Sequence, residues 1–373
     1  MRDLHRNKME LMTRLKQASD EATPVDIANN LETLQFESAL SAEEVELLHL
    51  RNRTHAITVS SCAQATYFAS ILHEARQLKK QLKSPQKRTA KILQDREPRD
   101  PLKVGIIGCG RLGSQIAHCL LTYGDMNPKD LKISTRRPET LEYLRNKGVE
   151  CCHDNIKLAS TSHLIFLCVL PSHIQTVAEE ICDHLPRASI VFSFVSTYTT
   201  KRLKQLLGTS NVIKPEYSWS EESERNSWNC NINVNSALED PDIVEKTCPI
   251  GHKKSECVVM TAEKLAEIMI FAFINMVTTL RVNKEDSLSI LHIVMFEDAP
   301  EDHLREEDFI RNSQDQTGMF PRFQLTQLTE VTTSVLKRIT TCAPLRAAFV
   351  KKYLGIFDNY VQQKAYEMMN GNI

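Results

Sequence analysis

No two of the 11 cysteines are spaced as C-x-x-C, which removes the commonest zinc frameworks and the thioredoxin-type redox motif. Cys151 and Cys152 precede His153, and Cys248 precedes His252. Two isolated pairs do not make a tetrahedral centre, so no metal is expected. Long apolar runs are also missing. The most apolar stretch, 268–277, is about half of the ~20 residues that cross a bilayer, and Glu263, Lys264 and Glu267 stand just before it. An excess of one charge is lacking as well. With a formal net charge of -1 the chain has no global field to hold it on nucleic acid or an acidic membrane, and neither is expected as a partner. No signal-peptide pattern is present. The N-terminal basic residues Arg2, Arg6, Lys8, Arg14 and Lys16 are interrupted by Asp3, Glu10, Asp20 and Glu21, unlike an import peptide, so a cytoplasmic location with reduced thiols is expected.

What is present is an ordinary globular composition, 42% hydrophobic and 25% charged, in a 373-residue chain long enough for two or three domains. Residues 1–100 have few glycines and few strand-like runs. Ser41 with Glu44 forms a capping box at the head of a helical stretch over 42–50, and this section reads as a helical extension. It becomes basic at Lys79, Lys80, Lys83, Lys87 and Arg88 and ends in Glu97-Pro98-Arg99-Asp100-Pro101, a solvated helix end and a linker.

From there strand-length apolar runs alternate with helical periods. Strands are expected at 103–107, 131–135, 149–151, 164–169, 189–195 and 211–214, and helices at 112–123, 138–147, 172–184 and 199–207. Pro138 suits a first helical turn, Gly148 a helix stop, and Thr200 a cap for the helix that ends at Gly208. Alternating β and α segments with strands apolar on both faces predict an α/β fold, a doubly wound parallel sheet of the Rossmann type over 101–217. A connector over 218–255, rich in Asn and Ser and carrying Trp219 and Trp228, leads to a mainly helical C-terminal domain over 256–373 with a break at Pro344. Within it Leu265, Ile268, Met269, Ala272, Phe273, Met276, Val277 and Leu280 share one helical face. That stripe is either the domain core or a homodimer interface.

The strongest chemical signal is Gly108-Cys109-Gly110-Arg111-Leu112-Gly113, which follows an apolar strand and opens an amphipathic segment. Gly108 permits the tight turn, Gly110 lets the backbone approach a pyrophosphate, and Gly113 allows close packing of helix on strand. The phosphates are then expected at a helix N-terminus, where N–H groups and the dipole favour negative charge. After the second strand an NAD site would carry Asp or Glu for the ribose 2′-hydroxyl. Here the chain reads Ser134-Thr135-Arg136-Arg137, two hydroxyls and two guanidiniums suited to a 2′-phosphate, which predicts NADP.

At the end of the fourth strand Val169, Leu170 and Pro171 are expected to wall the cofactor path beside the switch point of the sheet. His173 is near enough for acid–base work, since imidazoles titrate near neutrality, although it falls in a first helical turn. Ser196, Thr197, Tyr198, Lys214, Glu216 and Tyr217 are expected to border the reacting half of the cleft. No catalytic residue follows from these positions.

These residues resemble the pyrroline-5-carboxylate reductase family over roughly 103–215. The likeness lies in Gly105-Ile106-Ile107-Gly108-Cys109-Gly110 at the glycine turn, Ser134-Thr135-Arg136 at the 2′-phosphate segment, Ile165-Phe166-Leu167-Cys168-Val169-Leu170-Pro171 at a strand ending in proline, and Val212-Ile213-Lys214-Pro215 at the sixth strand. The resemblance implies NADPH-dependent reduction of a cyclic imine. Two family segments differ: a Met-Pro-Asn-Thr-Pro-like run is replaced by Pro215-Glu216-Tyr217-Ser218-Trp219, and no Ser-Gly-Ser-Gly-Pro-Ala-like run follows Ile250. Two functions therefore stand. One is an NADP-dependent oxidoreductase acting on a small substrate; the other is a non-catalytic NADP-binding sensor or scaffold, favoured if Trp219 or Trp228 blocks the nicotinamide end.

Overall fold

The computed structural model describes residues 41–83, 100–219, 228–253, 256–297, 303–310 and 318–369. The basic and acidic N-terminal stretch, the charged run at Lys87 and Arg88, and Glu97 to Arg99 lie outside the described residues.

Apolar runs too short to bury a helix face pair side by side instead. β1 (Val104–Ile107), β2 (Leu131–Ser134), β3 (Glu150–Cys152), β4 (Leu164–Leu167), β5 (Ile190–Ser193) and β6 (Val212–Ile213) form one sheet in the order β3-β2-β1-β4-β5-β6. Every pairing is parallel, and Val104 of β1 lies opposite both Leu131 and Leu164. All four residues of β1, β4 and β5 are buried, as expected when helices cover both faces. The strand order reverses between β1 and β4, which opens a crevice beyond their carboxyl ends.

The crossovers are short helices. α1 (Ala42–Glu46) and α2 (His49–Lys83) precede the sheet; α3 (Arg111–Thr122), α4 (Glu142–Asn146), α5 (Asn155–Thr161), α6 (Ile174–Ile181) and α7 (Thr200–Leu207) connect its strands. Ser41 and Glu44 make the expected capping box. α5 was not anticipated: its seven residues bury only Leu158 and Ala159, too few to show a period, and its start is set by the Asp154 side chain accepting from Lys157 N at 2.8 Å. The cap of α7 is Thr199 rather than Thr200, because the Thr199 hydroxyl accepts from Arg202 N while Thr200 is buried one residue inside.

One face of the sheet is covered by α5, α6 and α7. The other packs into a larger core that also contains α2 and the C-terminal helices. The 35-residue α2, about 50 Å long at 1.5 Å per residue, is the spine of that core. Phe68 meets Phe192 of β5 with ring centroids 5.9 Å apart, and Tyr67 meets Phe349 and Tyr353 at 5.4 and 4.8 Å. Ala63, Ala65 and Ala69 let neighbouring elements approach closely. The helix expected as an extension thus joins the sheet to the C-terminal helices.

Beyond β6 a two-stranded antiparallel ribbon, β7 (Tyr217–Ser218) with β8 (Met260–Thr261), brackets α8 (Val234–Leu238) and α9 (Pro241–Thr247). α10 (Lys264–Thr279), α11 (Lys284–Phe296), α12 (Glu306–Phe309), α13 (Leu325–Leu328), α14 (Ser334–Thr341) and α15 (Ala343–Met369) follow; the break expected at Pro344 falls at Cys342, with Pro344 in the first turn of α15, and 329–333 makes a second break. α10 is buried at every position from Leu265 to Val277, so its apolar stripe is spent on the core of one chain and is not a free interface. Among the described residues no helix is long and apolar enough to cross a membrane.

Candidate functional site

The crevice at the switch point is a cleft of about 580 Å³. Its floor is the turn between β1 and α3. Gly108 has φ +91°, a conformation that a side chain strains, and its N–H donates to Ser134 O at 2.9 Å. Cys168 N donates to Ile107 O at 2.9 Å, so the turn is pinned between the ends of β2 and β4. A Cβ on Gly113 would stand 2.1 Å from Gly108 O, whereas one on Gly110 would meet nothing within 4 Å. Gly113 is therefore required by packing, and Gly110 leaves open space on the cleft side. α3 begins at Gly110 with no side-chain cap, and its first N–H groups lack intrahelical acceptors. That end can take an anion.

The second wall is the end of β2. Ser134 is 1% exposed and its hydroxyl has no hydrogen-bond partner among the described residues, an expensive state for a buried polar group. Thr135 is fixed by its N–H donating to Cys152 O at 2.9 Å, and Thr140 Oγ1 holds the following turn by donating to Arg137 O at 2.7 Å. Arg136 and Arg137 are exposed, and neither makes a side-chain ion pair among the described residues. Arg111, Arg136 and Arg137 all line the cleft, and no described lining residue is Asp or Glu. Three full positive charges without a carboxylate make a local field that favours an anion.

The third wall is apolar. Val169, Leu170 and Pro171 follow β4, with Leu170 63% exposed, and Phe194, Val195 and Ser196 follow β5. Phe194 is held by stacking on Phe192 at 4.9 Å. His173 and His153 complete the lining. Burial, and secondarily the Cys151 sulfur, pushes the Cys109 thiol up to about 12, and burial also raises Cys168, so both favour the protonated thiol over the thiolate at neutral pH.

Of the residues read from the sequence, Gly108 to Leu112, Ser134 to Arg137 and Val169 to Pro171 come together around this cleft, with Gly113 directly beneath. The expected border of the reacting half is only partly there. Ser196 lines the cleft, but Thr197, Tyr198, Lys214, Glu216 and Tyr217 do not. Tyr217 OH instead donates to Gln64 Oε1 at 3.2 Å and pairs with Ser61 Oγ at 3.0 Å, and burial raises its pKa. Its partners sit more than 150 residues away in sequence, on α2, so nothing local reveals this. Neither tryptophan lines the cleft: Trp228 Nε1 donates to His55 Nδ1 at 2.9 Å, and Trp219 carries Arg53 over its ring at 5.3 Å. The sequence reading missed His153, Asn155 and Phe194, which reach the lining from just after β3, the start of α5 and just after β5.

The strand order 3-2-1-4-5-6, the glycine turn at the switch point and the anion-seeking cleft define a Rossmann-type domain. Comparison with known proteins narrows the class. A family model described as "NADP oxidoreductase coenzyme F420-dependent" matches residues 103–197. The mouse NADP-dependent oxidoreductase domain-containing protein 1 is 31% identical over 348 residues, 89% of this chain and 94% of that protein. The chain belongs to the family of that protein. Zebrafish (Danio rerio) pyrroline-5-carboxylate reductase 3 is 31% identical over 106 residues, 28% of this chain and 37% of that protein. Among solved structures, a pyrroline-5-carboxylate reductase from Coxiella burnetii is similar with a TM-score of 0.30 and 17% identity, over 70% of this chain and 98% of that one.

Proposed function

We propose that the cleft binds NADP and that the chain transfers hydride between NADP(H) and a small substrate, with a cyclic imine as the first class to test. The observation that carries this reading is the end of β2, where a buried hydroxyl at Ser134 and two guanidiniums at Arg136 and Arg137, all without partners among the described residues, stand where an NAD site would carry a carboxylate. The residues present fit the group. Gly108 to Gly113 would cradle the pyrophosphate on the N-terminus of α3, Ser134 to Arg137 would hold the 2′-phosphate, and Val169, Leu170 and Pro171 would flank the dinucleotide. Hydrogen bonds to a charged group contribute about 1.5–3 kcal/mol each, so two such contacts give a preference for NADPH over NADH of about a hundredfold or more.

When bound, NADPH supplies the hydride. The chain's own part is to orient and to exclude water. Phe194 and Leu170 make an apolar wall, and Cys109 and Cys168 favour the protonated thiol. His173 is the lining group to test for proton transfer, by His173→Gln. Cyclic imines should consume NADPH, followed as loss of nicotinamide absorbance; binding without consumption across the imine series refutes the reductase reading.

A second reading, a non-catalytic NADP sensor, is supported by the engagement of Tyr217 OH with Ser61 and Gln64, which removes one polar group from the reacting end. Tight NADPH binding with no turnover and a change in protection of α2 on binding would favour it.

A further inference from the structure

A second cavity, of about 310 Å³, lies at the opposite pole of the sheet, beside the turns that lead into β5 and β6. Arg187 enters it from the turn before β5, Thr209 and Ser210 from the turn before β6, and Arg322 and Gln324 from the segment before α13. Its charge balance is unusual. None of the described lining residues is acidic, and neither arginine makes an ion pair among the described residues. Arg322 is held below the usual guanidinium range, first by burial and then by the charge of Arg187, so the two cations feel each other. The carboxyl end of α7 opposes them with about half a negative charge at most, which leaves the cavity net positive.

Like charges are brought together here by a rigid support. Asn275 grips the backbone of Phe323 on both sides, Nδ2 donating to its carbonyl at 2.8 Å and Oδ1 accepting from its N–H at 2.8 Å. The same Nδ2 donates to Asn211 Oδ1 at 3.2 Å, and Asn211 Nδ2 donates to Ser189 O at 2.8 Å. Asn211 and Asn275 are 1% and 3% exposed. Thr326 N adds a bond to Ser210 O at 3.2 Å. Two buried amides therefore lock the three segments that carry Arg187, the two hydroxyls and Arg322. The Thr209 hydroxyl accepts from Asn211 N at 3.2 Å, which leaves its proton to donate outward.

We propose that this cavity is a second anion site, selective for a small organic phosphate held between Arg187 and Arg322, with the hydroxyls of Thr209 and Ser210 as neutral donors. A phosphate monoester concentrates about -1.5 to -2 charge on three acceptor oxygens around one atom, which matches two guanidinium forks and two hydroxyls better than a dicarboxylate that spreads a similar charge over two separate planar groups. The volume is about half that of the cofactor cleft, room for a phosphate and a few carbons and too little for a dinucleotide. Because the two cavities lie at opposite ends of the strands, the ligand does not compete with NADPH.

The test is calorimetric titration of the full chain with inorganic phosphate, glycerol phosphate and succinate, with and without saturating NADPH, on wild type, Arg187→Gln and Arg322→Gln. Both phosphates should bind with a Kd of about 1 mM or tighter, unchanged by NADPH, at least about tenfold weaker in each variant, with succinate weaker still. Thermal melts confirm that both surface variants fold. Absence of phosphate binding, equal affinity in the variants, or displacement by NADPH would overturn the site, and equal binding of succinate would overturn its selectivity. Failure of NADPH to bind in the same experiment would count against the cofactor reading and leave the phosphate result intact.

Discussion

The N–H of Gly108 donates to the carbonyl of Ser134 at 2.9 Å, so the glycine turn of β1 and the end of β2 proposed to hold the 2′-phosphate are one mechanical unit. The same residue that receives this bond keeps its own hydroxyl buried and without a partner among the described residues. In the proposed cofactor site a ligand oxygen would supply that partner.

Ser134→Ala should therefore move stability and binding in opposite directions. Removing an unsatisfied buried hydroxyl should stabilise the free protein by about 1 kcal/mol, while NADPH affinity should fall several-fold. Urea melts and fluorescence titrations on the same samples separate the two effects. A variant that loses stability would show that the hydroxyl has a partner in the free state.

The glycines of the turn should split by mechanism. Gly110→Ala meets nothing within 4 Å and should fold with near-normal stability yet lose nucleotide, because the methyl occupies the space a pyrophosphate needs. Gly113→Ala forces a Cβ to 2.1 Å from Gly108 O and should destabilise the domain by about 1–3 kcal/mol or more, with binding lost as a secondary effect. Thermal melts distinguish the pair; equal melting temperatures would contradict the packing role of Gly113.

Much of this was legible in the sequence. Strands buried on both faces read as continuous apolar runs, and a glycine turn between a strand and an amphipathic helix has few other uses, so β1, β2, β4, β5 and the cleft residues came from local pattern. What stayed hidden depends on distant partners. Tyr217, itself expected at the cleft border, instead finds Ser61 and Gln64, because α2 runs alongside. The stripe on α10 could serve a core or a dimer equally well until its surroundings were known. Likewise α5 is too short for periodicity, and Arg187 and Arg322 meet only through the fold.

The place of α2 in the core can be measured. Phe68→Ala removes a fully buried ring that touches Phe192 of β5 and should cost about 3–5 kcal/mol, with the sheet and the C-terminal helices unfolding together. A cost under about 1 kcal/mol in chemical denaturation would mean that α2 is a detachable extension.

Stability should also fall in mild acid through His163. Its Nδ1 accepts the Lys103 N–H at 3.0 Å, so the ring must be neutral there, and burial, with the Arg76 charge second, lowers its pKa to about 4. The unfolded chain binds this proton near the ordinary histidine value of about 6.5. Between those limits the unfolded state holds more protons than the folded one, so this contribution is fully present above about pH 6.5 and is lost as pH falls toward 4. Melting temperatures measured across that window should show a slope that His163→Gln flattens; an unchanged slope in the variant would assign the acid sensitivity elsewhere.

The central claim, an NADP site selected by the end of β2, is tested most directly by titrating NADPH and NADH into wild type and the Arg136→Ala, Arg137→Ala double variant. Wild type should prefer NADPH by about a hundredfold or more, and the double variant should lose most of that preference with NADH affinity nearly unchanged. Equal affinity of the wild type for both nucleotides, or an NADPH preference that survives loss of both arginines, would contradict it.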